Sequence, residues 1–307
     1  MSPKYPLISV ITPSYNQGQF IRETIESVLS QDYPAIEYIV VDGGSSDGTV
    51  NILQEYGDRI IWISEPDEGQ ADAVNKGVRL AKGEFIGWLN SDDIYEPGAL
   101  STVIETFQKN PDISVVYGEA WHITNSGQII ARYPIEPFNY RRLAETCYIC
   151  QPASFIRTNS FLEAGLLRTD LHLCMDYEFW IRLGHEKPFL YTSRVLASSR
   201  LYPENKTFSR TDEVFREVMT MVSQYYGYVP ITWVYGYLQN QTRGKWSLQF
   251  PVQVLITFIR MNRSCVLGAL QYCVTLFIPY RNNGRLTVDL ISLIKKSRTM
   301  DDLRKKL

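Results

Sequence analysis

The chain is short of histidine and cysteine, has almost no net charge, and contains no apolar stretch long enough to cross a membrane as a helix. Each shortage removes a class of function. Three histidines (His122, His172 and His185) fall at no metal-ligand spacing, which argues against an imidazole-based metal centre. Five cysteines in 307 residues do not make a disulfide framework. Cys147 and Cys150 form a C-x-x-C, but no second pair follows and no thioredoxin-like βαβ setting surrounds it, so reduced structural thiols are the simpler expectation. A formal net charge of −2 offers no basic footprint, and no nucleic-acid partner is expected. The segment Met-Ser-Pro-Lys-Tyr-Pro runs into an apolar strand without the hydrophobic region of a secretory leader, from which a cytoplasmic start is expected.

What is present is an ordinary globular balance, 45% hydrophobic and 21% charged, sufficient for a sizeable core. Short β-branched runs at 7–12, 36–41, 60–63 and 85–89 read as strands, each bounded by turn residues. Between them, apolar residues recur at helical spacing: Phe20 to Gln31, then Val50, Leu53 and Tyr56 after the helix start Asp47-Gly48-Thr49, then Ala71 to Ala81. Four strand–helix alternations predict an α/β fold with a mostly parallel sheet flanked by helices. In such sheets ligands gather at the carboxyl ends of the strands. Polar, acidic clusters lie at those ends: 14–18, 42–47, 65–72 and 90–93. Beyond Asn110 the pattern is mixed, with strands expected at 115–117 and in a hairpin over 121–133 that turns at Asn125-Ser126-Gly127, and helices at 177–183 and 214–226. From Pro230 onward the chain reads as a helical appendage. A soft boundary is placed near 228, giving a catalytic domain over 1–228 (nucleotide half to about 110, acceptor half 111–228) and a helical region over 229–307.

Asp92-Asp93, directly after the fourth strand, is the pair with the clearest chemistry. Adjacent carboxylates in a tight loop repel unless a cation or hydrogen-bond donors offset the charge. Mg²⁺ and Mn²⁺ take oxygen ligands and often use one or two carboxylates plus substrate phosphates. A solvated turn with an aspartate cap before Pro97 is the plainer alternative. The pair, however, ends a series: Val10-Ile11-Thr12-Pro13-Ser14-Tyr15-Asn16, then Val40-Val41-Asp42-Gly43-Gly44-Ser45-Ser46-Asp47-Gly48-Thr49, then Asn75-Lys76-Gly77 with Ala81-Lys82-Gly83-Glu84, then Leu89-Asn90-Ser91-Asp92-Asp93. In order and spacing this series resembles glycosyltransferase family 2, the nucleotide-diphospho-sugar transferases of the GT-A (Rossmann-like) fold, over roughly residues 5–205.

The resemblance implies roles at matching positions. Thr12, Pro13 and Tyr15 would hold the nucleobase by backbone contacts and stacking, and Asp42 would hydrogen-bond it. Asp72 and Asn75 lie on the helix that lines the nucleotide pocket in relatives. Asp92 matches the residue that contacts ribose, and Asp93 the one that binds Mn²⁺ or Mg²⁺. Alternatives remain at each: Tyr15 would equally serve as packing, and Asp42 or Asp47 as turn caps. Departures are visible too. Gly43 and Asn90 stand where many relatives have aspartate, and Tyr202 stands two positions after Arg200, where many have a metal-binding histidine.

In Cys174-Met175-Asp176-Tyr177-Glu178-Phe179-Trp180, Asp176 would open a helix, for which an N-cap role suffices. The resemblance implies instead a catalytic base, with Asp176 at the matching position and Glu178 as the fallback. An acceptor hydroxyl attacking the anomeric carbon must lose its proton as the bond forms, and a single displacement inverts that centre. Gln151, in Gln151-Pro152-Ala153-Ser154-Phe155, matches a segment at the acceptor side of the cleft, or else simply enters a strand. A nucleotidyltransferase would show a glycine-rich, basic loop after the first strand, and 12–18 is neither. A non-catalytic relative would need neither Asp93 nor Asp176.

After residue 263, seventeen residues pass without a charge and Pro279 interrupts the run's end, short of the roughly 20 apolar residues that a spanning helix needs. The tail after Tyr280 then holds eight basic residues against three acidic ones. Together with 246–263 this suits either peripheral contact with the inner face of a membrane or packing on protein, including a second copy of the chain. The expected enzyme moves a sugar from a nucleotide-diphospho-sugar, with UDP as the expected nucleotide, to a glycan acceptor, lipid-linked or not, in cell-surface polysaccharide biosynthesis.

Overall fold

The computed structural model describes residues 5–242 and 249–263. The uncharged run after residue 263 and the basic tail both lie outside the described residues. The chain forms two compact units. One comprises the described residues up to Asn139 together with Tyr148–Leu201; the other comprises Tyr140–Cys147 and the described residues from Tyr202 onward. The boundary expected near 228 therefore falls inside the second unit.

The first unit is built on nine strands: β1 (Ile8–Ser14), β2 (Ile36–Asp42), β3 (Ile61–Ser64), β4 (Phe85–Trp88), β5 (Ile94–Tyr95), β6 (Val115–Ile123), β7 (Ile129–Arg132), β8 (Ser154–Arg157) and β9 (Phe189–Arg200). They lie in the order β3-β2-β1-β4-β8-β6-β9-β5, with β7 alongside β6. The helices are α1 (Ile21–Leu29), α2 (Thr49–Glu55), α3 (Gln70–Leu80), α4 (Ala99–Lys109), α6 (Thr158–Ala164) and α7 (Met175–Gly184), with α5 (Tyr140–Leu143) in the second unit. β1 is buried along its whole length because it pairs in parallel with β2 and β4 and is covered on both faces. Ile8 and Val10 join a core with Ile25 and Val28 of α1 and Val103 and Phe107 of α4. Ile11 faces α3 instead: a Cβ on Gly77 would stand 2.4 Å from its Cγ2, so glycine lets that helix lie directly on the sheet.

The β1–β4 half matches the expected parallel alternation. Past β4 the sheet turns mixed, since β8 runs antiparallel to both β4 and β6 while β9 runs parallel to β6. The strands expected at 115–117 and 121–123 are one strand, β6. Gly118 conceals the continuity, because it sits where a Cβ would come within 2.6 Å of the Arg194 carbonyl oxygen and the Leu196 side chain on bulged β9. Several elements had no counterpart in the sequence reading, among them α4, α6 and the twelve-residue β9.

The second unit contains α5, α8 (Lys206–Ser209), α9 (Thr211–Tyr226), α10 (Ile231–Gln241) and α11 (Phe250–Met261). Met219, Val229, Val234, Phe250, Val254 and Phe258 form its core. Asn262 locks α11 to the α9–α10 turn by donating to the Val229 carbonyl at 3.1 Å and accepting from the Val229 N–H at 2.8 Å. Among the described residues, no helix is long and apolar enough to cross a membrane.

Candidate active site

The loops leaving β1 and β2 are stitched together. β1 and β2 pair up to Ser14 and Asp42, so both loops start from one level of the sheet. Asn16 takes a left-handed backbone (φ 53°), and its side-chain oxygen accepts from the Ser46 N–H at 2.9 Å while its own N–H donates to Ser45 Oγ at 2.7 Å. The Gln17 and Gly18 N–H groups reach Thr49 Oγ1 (3.1 Å) and Asp47 Oδ2 (2.9 Å). Burial pushes the Asp47 carboxyl upward, but the bonds from Thr49 and Gly18 outweigh it and leave the group below its ordinary value.

Asp42 is wholly buried. Its carboxylate accepts from the N–H groups of Gly44 (3.1 Å) and Ser45 (2.9 Å), Ser45 Oγ (2.5 Å) and Ser64 Oγ (2.7 Å), so it shapes the turn that ends β2. Thr12 is buried and shares a hydrogen bond with Tyr38 Oη at 3.1 Å, Pro13 is buried, and Tyr15 is exposed beyond the end of β1. A Cβ at Gly43 would stand 2.7 Å from Asp67 Oδ2. The carboxylate of the next loop thus occupies the space that a side chain at 43 would enter.

The loop after β4 is the most constrained part. The Thr24 hydroxyl on α1 lies within hydrogen-bonding distance of the carbonyls of Ser91 (2.9 Å) and Asp93 (2.8 Å). Asn90 Oδ1 accepts from Trp88 Nε1 (3.0 Å) and Gln70 Nε2 (2.7 Å), which leaves its amide nitrogen facing Asp93 Oδ2 at 3.4 Å. Asp93 is only 4% exposed, and its Oδ1 accepts the Arg200 N–H at 2.9 Å. Burial first, and the neighbouring Asp92 second, push the Asp93 carboxyl well above its usual range, against hydrogen bonds from Arg200 and Ser199 and the Arg200 charge.

Arg200 organises this corner. Its buried guanidinium donates to the Asp92 carbonyl (2.8 Å), to the carbonyls of Thr124 (3.1 Å) and Asn125 (2.8 Å) on the β6–β7 turn, and to Glu23 Oε2 (2.6 Å) on α1. It also lies 4.8 Å from the centre of the Phe20 ring. In the sequence it marked only the place of a missing histidine. An arginine in a long strand is the one local signal of this role, and its partners lie 75 to 177 residues away.

Two nominated residues converge on a different loop. Asn75 donates to the Leu167 carbonyl (2.9 Å) and accepts the Leu167 N–H (2.8 Å). Glu178, fully buried, pairs with Arg182 through two contacts of 2.8 and 3.0 Å, and Arg182 in turn holds the carbonyls of Ala164 and Leu166. Together they clamp the segment in which Leu166 adopts a left-handed backbone, φ 62°. Asp176, half-buried, lies in the first turn of α7. Asp72 pairs with Lys76 at 3.3 Å. Gln151 stands next to β4: its amide nitrogen donates to the Trp88 carbonyl at 2.5 Å, and its buried Oε1 accepts from no donor among the described residues. The structure thus brings Asp92, Asp93 and Asn90 together and sets Gln151 beside the strand that carries them.

The donor set at Asp92 and Asp93 suits a hard divalent ion. Among the described residues, no group of three or more histidine, cysteine or acidic side chains could hold a metal by itself. One or two carboxylates, with remaining ligands from phosphate oxygens and water, is the arrangement Mg²⁺ and Mn²⁺ commonly use. A cation here would also offset the repulsion and burial that disfavour the ionised Asp93.

Comparison with known proteins bears on the fold and the family. Over 212 residues the chain is 28% identical to the chondroitin synthase of Escherichia coli, covering 68% of this chain and 31% of that protein. Its backbone superposes on S. aureus TarS 1–349 in complex with UDP-GlcNAc with a TM-score of 0.62 at 18% identity, over 86% of this chain and 81% of that one. A mannosyltransferase from Pyrobaculum calidifontis in complex with GDP-Man and Mn²⁺ gives 0.58 at 17% identity, over 95% and 87%. These likenesses establish the GT-A fold. The chain spans about a third of the length of several curated relatives it matches. The profile described as Glycosyl transferase family 2 matches residues 9–166, more than half of the sequence, and the chain belongs to glycosyltransferase family 2.

Proposed function

We propose that this chain transfers a glycosyl group from a nucleoside-diphosphate sugar, with UDP as the favoured nucleotide, to a hydroxyl of a glycan in polysaccharide biosynthesis. The observation that carries the proposal is the Asp93 carboxylate, buried at the carboxyl end of a parallel strand, its charge disfavoured by burial and by Asp92, and fixed by Arg200. Carboxylates displaced in this way cluster at functional sites, and a bound cation is the partner that would offset the cost. The complexes of two structural neighbours with UDP-GlcNAc and with GDP-Man and Mn²⁺ support the same class of donor.

In this proposal Asp93 would hold Mn²⁺ or Mg²⁺, which would supply positive charge against the departing diphosphate, and Asp92 contacts the ribose. Tyr15, Thr12, Pro13 and the stitched β1–β2 loops receive the nucleoside, with the buried Asp42 fixing the turn that faces it. Gln151 orients the acceptor. The acceptor oxygen attacks the anomeric carbon from the side opposite the diphosphate, the bond from that carbon to the diphosphate oxygen breaks, and Asp176 takes the hydroxyl proton. One displacement of this kind inverts the anomeric centre.

Calorimetric titration of UDP with and without Mn²⁺, on the native chain and on Asp93→Ala, tests the proposal. We expect Mn²⁺ to tighten UDP binding by about tenfold or more, and the variant to lose that gain. Equal binding with and without the metal would overturn the role of Asp93, and tighter binding of a different nucleotide would overturn the choice of UDP.

A further inference from the structure

Among the described residues, one face of α11 has no partner. Phe250, Val254 and Phe258 point into the helical core, while Val252, Leu255, Ile256 and Ile259 are each more than half exposed. Those four fall at i, i+3, i+4 and i+7, so they form one stripe along the helix, on the side opposite the buried face. Isolated apolar residues on a surface are common, but an ordered stripe of four large aliphatic side chains calls for a covering surface. Arg260 and Arg263, both exposed, border the stripe at its C-terminal end.

The charge around the stripe indicates what covers it. Between Glu217 and Asp289 the sequence contains no aspartate or glutamate, while Arg243, Lys245, Arg260, Arg263, Arg281 and Arg285 fall within that span. A second copy packed symmetrically on the same stripe would present the same patch to itself, with no carboxylate from that span to meet the arginines. An anionic bilayer supplies both missing parts: acyl chains for the aliphatic stripe and negative headgroups for its basic border.

We propose that α11 is an interfacial membrane-binding helix, which lies on an anionic lipid surface with Val252, Leu255, Ile256 and Ile259 inserted and Arg260 and Arg263 at headgroup level. This is independent of the transfer chemistry. It would keep the enzyme on a bilayer and so favour acceptors presented at that surface.

The test is flotation of the full chain with vesicles of phosphatidylcholine alone or with added phosphatidylglycerol, at low and high salt. We expect flotation only with the anionic vesicles, and weaker flotation at high salt as the headgroup attraction is screened. Leu255→Gln with Ile256→Gln and Ile259→Gln should abolish it. Arg260→Gln with Arg263→Gln should weaken partitioning about 30-fold, since each basic residue near such a surface contributes about fivefold. UDP binding by every variant should match the native chain, which shows that the variants are folded and separates this outcome from failure of the transferase proposal. Absence of flotation by the native chain, or full flotation by the triple glutamine variant, would overturn the proposal. So would a native dimer that the same triple variant converts to monomer, since the stripe would then be a protein interface.

Discussion

Replacing Arg200 with methionine should destabilise the corner that holds Asp92 and Asp93, and the cost can be worked from its contacts. The side chain has no solvent exposure and makes four hydrogen bonds. Asn125 is exposed and Glu23 is about half exposed (52%), so water replaces the guanidinium at those two sites with little loss. The Asp92 and Thr124 carbonyls are more enclosed, and stranding a buried acceptor costs about 1–3 kcal/mol each. Losing the cation over Phe20 adds about 0.5–1 kcal/mol. Methionine fills much of the vacated stem volume, so the cavity term is small. The expected loss is about 3 kcal/mol, or roughly 6–12 °C in melting temperature for a unit of this size. Arg200→Lys should recover at most half, because one ammonium cannot meet acceptors in three directions. The Arg200 N–H to Asp93 survives both changes, so Mn²⁺-dependent UDP binding should weaken less than in Asp93→Ala. Without the nearby positive charge the Asp93 carboxyl rises further, so binding should fail at a higher pH than in the native chain. Urea unfolding and calorimetry at several pH values measure all of this. A methionine variant within about 0.5 kcal/mol of native, or a lysine variant equal to native in stability and pH profile, would refute the assignment of Arg200 as the organiser of this loop.

Asp176 and Glu178 should separate cleanly. Asp176→Asn is expected to lower turnover by about 10²–10⁴-fold with little change in melting temperature, whereas Glu178→Gln strands Arg182 and should destabilise the fold by about 3 kcal/mol; turnover that follows Glu178 instead would reverse the roles. His122 is buried beside Tyr133, and burial lowers its pKa to about 4 from the ordinary 6.5. The unfolded chain therefore binds the proton first, and the stability linked to this residue, present in full above pH 6.5, is lost as pH falls to 4, by roughly 3 kcal/mol. His122→Phe should flatten that part of the curve, and an unchanged acid slope would show that other groups set it.

The sequence by itself determined the nucleotide half. The runs that became β1, β2 and β4 are mostly apolar because a central strand is covered on both faces, and that pattern is local enough to read. The polar clusters at their ends were legible for the same reason, and so was the family they resemble. Tertiary structure decided the rest. β9 was missed because its burial alternates irregularly along a bulged strand, and β6 was read as two strands because Gly118 broke its pattern where a neighbouring backbone comes close. Arg200 is chemically ordinary in the sequence and acquires its task only when β9 returns beside the β4 loop, more than a hundred residues from Asp92. Asn75 and Glu178, expected as site residues, also hold the turn at Leu166, which spacing along a helix cannot reveal. Periodicity reports which side of an element is buried, while hydrogen-bond partners remote in sequence are set only by how the elements pack.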